Sequence, residues 1–283
     1  MQDILSVALR ALSFLFLLQA AGVALFVAIL GRHLSSSADA IRRLGRWSAR
    51  VGLALVAAHY ALEAARMAGD FSGIWDLSLQ GASLRSGGAA FGVRVLGLFL
   101  LALSLRRVDA GALVLGVVGA AITAAAFTLV GHTAVHPQRW LLAPLLMLHL
   151  LIVAFWLGAL LPLYLASRRE TPETSATLVN AFSRIASWLV PGILVAGVAL
   201  AILLVPNIGV FAQPYGWLLL TKVALFAALM GLASLNKWRL GPALARGDHR
   251  DGFAFRWSLC AEYALIFVVL AVTAVMTTFF SPE

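Results

Sequence analysis

Eight apolar stretches constrain this chain more than any motif it contains; they fall near residues 4–30, 48–68, 89–105, 110–133, 141–166, 184–205, 215–236 and 257–280. Most approach the roughly 20 residues needed to span a hydrocarbon layer about 30 Å thick. The expectation is therefore an all-α integral membrane protein, a bundle of about eight transmembrane helices forming a single polytopic domain over residues 1–283. Composition agrees: 62% of residues are hydrophobic, 12% are charged and the mean hydropathy is +0.95, well outside the range of soluble domains. The third stretch is the shortest. Arg94 lies inside it, and the preceding GDFSGIWDLSLQGASLRSGG reads as a folded outer loop. The first stretch lacks a basic leader and a clear small-x-small cleavage site, so it reads as a retained first helix.

The net charge of +9 does not point to nucleic acid, because the basic residues sit in short loops between apolar runs, where they set orientation. Alternate loops hold Arg32, Arg42, Arg43, Arg46 and Arg50; Arg106 and Arg107; Arg168, Arg169 and Arg184; and Lys237, Arg239, Arg246, Arg250 and Arg256. Those loops are expected to be cytoplasmic. Both termini then face outward, which in a bacterium means the periplasm. A lone cysteine, Cys260, excludes an internal disulfide framework and a thiolate cluster built by this chain alone. No Gly-x-Ser-x-Gly, phosphate loop or His-Glu-x-x-His occurs, so hydrolytic and nucleotide-driven chemistry lack support and the chain does not read as an enzyme.

In that orientation the hairpin GHTAVHPQRWLLAPLLMLHL, residues 131–150, turns at the outer surface. His136 is expected near the surface, His132 roughly 9 Å down the fourth helix and His149 roughly 16 Å down the fifth. His132 and His136, four residues apart, would share one helical face. A second polar stripe, His59, Glu63 and Met67 at i, i+4 and i+8, is expected at a similar depth on the second helix. Neutral imidazole is a good ligand for copper and zinc, and a thioether from Met67 or Met147, or the Glu63 carboxylate, would favour copper over magnesium or calcium. The alternative is that these histidines hydrogen-bond between helices. Glu63 is a ligand, a proton acceptor or the partner of Arg66.

Lys222 lies about two turns into the seventh helix and needs a carboxylate, a wet cavity or neutralisation there. Glu262 is expected about one turn into the last helix from the cytoplasmic side, reaching the interface or pairing with Arg256. Trp156, seven residues after His149 on the same face, shields that site or packs, and Gly158 allows close helix approach.

The runs HLLIVAFWLGALLPL (149–163), NAFSRIASWLVPGILVAGV (180–198), PYGWLLLTKVALFAALMGLASLNKWRLGPAL (214–244) and RWSLCAEYALIFVVLAVTAV (256–275) together resemble the copper resistance protein D (CopD) family, placing the family-like region over 149–280. The resemblance implies a bacterial inner-membrane protein of copper resistance or uptake, often acting with a small periplasmic copper-binding protein of the CopC type. It carries over to His149, Trp156, Gly158, Phe182, Ser183, Tyr215, Gly216, Lys222, Asn236 and Glu262, and makes Gly131 and His132 recognisable as the family's Gly-His pair. Copper would be captured at His136 and held deeper by His132 and His149, with His59, Glu63 or Met67 completing the site. Trp156, Tyr215, Lys222 and Glu262 would support it. Two other readings stay open: a membrane cytochrome or quinone-linked redox protein with axial histidines, and a scaffold that binds copper for delivery without moving it.

Overall fold

The computed structural model describes residues 2–205, 207–245 and 249–280, leaving out the side chains of residues 132, 244, 245 and 249–251. Arg246, one of the orienting basic residues, lies outside the described residues. The chain is helical throughout: α1 (Gln2–Leu30), α2 (Ala38–Ala68), α3 (Leu77–Ser104), α4 (Ala110–Ala125), the short α5 (His132–Val135), α6 (Arg139–Arg169), α7 (Pro172–Leu204), α8 (Pro214–Leu235), the short α9 (Gly241–Ala245) and α10 (His249–Phe279). Seven of the long helices are apolar enough to cross a membrane. The remaining one, α2, has 31 residues but carries four arginines in its first half and Glu63 and Arg66 near its end, which lowers its hydropathy below that of the others.

Successive long helices run antiparallel. At one end of the bundle the Arg10 guanidinium donates to the Thr277 carbonyl oxygen at 2.8 Å and Arg66 lies 3.5 Å from Asp3, so the two ends of the chain meet. At the opposite end Arg46 donates to the Leu105 carbonyl oxygen at 2.7 Å. There too the Glu170 carboxylate, just past α6, accepts from the backbone and hydroxyl groups of Ser35 and Ser37 ahead of α2. Desolvation raises the Glu170 pKa, but those hydrogen bonds outweigh it and hold the value down at about 2.

The core is built on α1, which packs against α2, α4, α6 and α10 and buries Leu17, Leu18 and Phe26 completely. Its tightest crossing is with α6. A Cβ at Gly22 would sit 1.8 Å from the Ala154 carbonyl oxygen, and one at Gly158 would sit 2.3 Å from Gly22 Cα. Lipid offers little hydrophobic drive for helix association, so backbone proximity at small residues supplies the dispersion contact that holds the pair.

Three boundaries differ from the sequence expectation. The segment expected as an outer loop is largely helix: the Asp76 side chain caps α3 by accepting from Ser78 N and Leu79 N, and the Gly/Ser run that follows continues the helix. The helix expected over 110–133 ends at Ala125, tightens into a 3-10 turn over Ala126–Leu129 and breaks at Val130, extended, and Gly131, whose φ of +69° suits glycine. The last helix begins at His249 rather than near residue 257, which moves Glu262 well into the bundle.

Candidate functional site

His149 projects from α6 toward α7, where Gly197 leaves room for it: a Cβ there would lie 3.6 Å from the imidazole Cε1. Its Nδ1 is buried without a hydrogen-bond partner. The Ile193 carbonyl faces the ring but does not meet hydrogen-bond geometry. Leaving a buried polar nitrogen unpaired costs about 1–3 kcal/mol, a cost that a metal ion or a water would relieve. The charged group that acts on the ring is Lys222 of α8, which is half-buried and has no carboxylate within ion-pair distance among the described residues.

The hairpin that carries His132 and His136 is not a continuation of α4. Instead, His132 opens α5 and His136 follows its end with an extended backbone (ψ 139°), so the two do not share a helical face. The His132 side chain lies outside the described residues. His136 acts locally, its Nδ1 accepting from Gln138 N at 3.1 Å and closing the turn that leads into α6. No group of three histidine, cysteine or carboxylate side chains poised for a metal occurs among the described residues.

On α2, His59 and Glu63 do share a face, with Nε2 3.6 Å from the carboxylate. Glu63 is already engaged: both its oxygens accept from Arg66, at 3.2 and 3.3 Å, and Arg10 of α1 stands 4.0 Å away. Arg94 of α3 adds a third guanidinium facing His59 and stacks over Phe127, 5.6 Å from the ring centroid. Arg10 and Arg94 were not visible as members of this cluster from sequence, because they come from other helices. Met67 is half exposed at the helix end. A cation approaching this stripe meets three positive charges.

The polar centre that spacing did not reveal lies in the other half of the bundle. There α7 and α8, consecutive in sequence, barely touch. α6 and α10 floor the gap between them, and it holds a cavity of about 380 Å³. Glu262, 2% exposed, sits in its wall; its two oxygens accept one from the Trp156 indole at 3.1 Å and one from the Asn236 amide. Neither the interface nor Arg256 is its partner. Asn236 is placed by a π-helical turn, Asn236–Leu240, at the end of α8. Phe182 and Ser183 line the same cavity, and Ser187 and Lys237, joined by a 2.8 Å hydrogen bond, form its exposed rim. Five residues singled out by family resemblance, Trp156, Phe182, Ser183, Asn236 and Glu262, thus meet at one place. Tyr215 is elsewhere, buried with Val210 and Met276 near the end where the termini meet.

The family model described as Copper resistance protein D-like, N-terminal domain, matches residues 1–138, and that described as Copper resistance protein D matches residues 176–276. α6, with His149, Trp156 and Gly158, lies between the two matched segments. No curated protein and no solved structure matches the chain. The N-terminal match takes in the first four long helices, α1 to α4, which lie outside the family-like region 149–280. With both halves matched in order, the chain is a multi-pass membrane protein of the copper resistance protein D family, with a role in copper handling.

Proposed function

We propose that this protein takes up or relays copper ions from the periplasm, sitting in a bacterial inner membrane with eight spans, α2 included, and both termini outside. The observation that carries the reading is His149: an imidazole inside the bundle, with an unpaired buried nitrogen and a glycine opposite it. The concentration of basic residues at the end away from the termini supports the orientation.

In this reading His136 and His132 receive the ion at the outer hairpin and His149 holds it between α6 and α7. The copper is cargo, so ligands that bind without caging it suit release. Of the α2 stripe, we assign Glu63 to the ion-pair network with Arg10 and Arg66, leaving His59 as the remaining ring donor, beside three guanidiniums that oppose a cation there. Met67, at the outer end, serves at most as an entry ligand. A separate periplasmic copper protein of the CopC type is the proposed donor.

The test compares copper retained by the purified protein with that of a His132→Ala, His149→Ala double variant. The double variant is expected to lose most of its copper; equal retention refutes the assignment. Copper accumulation in cells expressing the protein tests movement, since a scaffold that only binds would leave it unchanged.

A further inference from the structure

A carboxyl group with no cation beside it, reached from an exposed rim, is built to gain and lose a proton. Glu262 lies ten residues past the start of its apolar span at Gly252, about 15 Å along the helix. Ionised, it is served by two donors, the Trp156 indole and the Asn236 amide. Protonated, it needs an acceptor, and one is adjacent: Asn236 Oδ1 is buried with no hydrogen-bond partner. An amide that turns about its terminal bond presents either N–H or C=O, so Asn236 can follow both charge states of the carboxyl. An arginine or lysine in its place would lock the ionised form. The cavity supplies the route, running from Glu262 past Ser183 to the exposed Ser187 and Lys237.

The polar side chains that line the cavity with Glu262 are few: Trp156 of α6, Ser183 and Ser187 of α7, Ser234 of α8, and Asn236 and Lys237 of the π turn. Lys237 is the only other charged side chain lining the cavity among the described residues, and it stands at the rim, bonded to Ser187. Protonation of Glu262 is thus not tied to an internal ion pair.

We propose that Glu262, with Trp156 and Asn236, is a proton-exchange site open to the Lys237 end of the bundle. The O–H bond breaks with its electron pair remaining on the carboxylate, the proton passes to water at the rim and returns by the same route, and no electron is transferred. The proposal does not rest on the copper-moving reading.

Infrared difference spectra of the purified protein across a pH titration test the site. A protonated-carboxyl C=O band that comes and goes with pH, is absent in Glu262→Gln, and moves to higher wavenumber in Trp156→Phe as one donor is lost, is the expected result. No titrating band lost in Glu262→Gln overturns the site, and a band unmoved by Trp156→Phe overturns its placement beside that indole. Trp156→Phe keeps the test alive if Glu262→Gln does not fold.

Discussion

The Trp156 indole N–H points at the Glu262 carboxylate across 3.1 Å, tying α6 to α10 through two side chains that are both buried. A hydrogen bond to a charged or strongly polar acceptor in such a place is worth about 1.5–3 kcal/mol. Trp156→Phe should therefore lower the thermal stability of the detergent-solubilised protein, and should cost much less when Glu262 is already leucine. A double-mutant cycle on unfolding temperature measures the difference; equal costs in both backgrounds would mean the bond contributes nothing.

The α1–α6 crossing is expected to be intolerant of a single methyl group. With Gly22 Cα 2.3 Å from where a Gly158 Cβ would stand, Gly158→Ala must push two backbones apart and should cost about 3 kcal/mol or prevent folding. Gly231→Ala on α8, with nothing within 4 Å, is the control and should be neutral or slightly stabilising. Monodispersity on size exclusion and unfolding temperature distinguish the two.

The clamp between α6 and α2 should depend on pH. The Glu170 pKa is depressed from an ordinary 4.5 to about 2, so its contribution is fully present above about 4.5 and is lost as pH falls toward about 2. The partly exposed site limits it to on the order of 1 kcal/mol. Glu170→Gln should unfold at a lower temperature than the unmodified protein at neutral pH, and the gap should close on acidification. A gap independent of pH would show that the charge is not what holds Ser35 and Ser37.

Lys222 acts against a cation at His149. Removing its charge with Lys222→Met should tighten copper binding about fivefold, the effect of roughly 1 kcal/mol of Coulomb repulsion at intermediate dielectric. Titration against a competing chelator reads this directly. Unchanged affinity would place the copper away from His149.

Hydropathy was enough to read the helical membrane class and to place seven of the long helices, because a spanning helix is defined by local length and apolarity. The i, i+4 relation of His59 to Glu63 and the i, i+3 relation of Glu63 to Arg66 were legible for the same reason: both are fixed within one helix. Helix ends were less so. α3 starts earlier because Asp76 caps a run whose glycines and serines read as loop, and α4 gives way at Ala125 to a 3-10 turn that runs toward Gly131, whose positive φ hydropathy cannot register.

What only the tertiary structure decided was the meeting of residues far apart in the chain. Arg10 and Arg94 surround His59 because α1 and α3 flank α2, which turns an apparent ligand stripe into an ion-pair network. Trp156, Asn236 and Glu262 form one centre because α7 and α8 part, leaving α6 and α10 to close the gap behind them. Apolar patterning tells a helix that it must face lipid or protein. It does not say which polar side chain on another helix will satisfy its own, since that is settled by packing, where small residues such as Gly22 and Gly158 fix how closely two backbones approach.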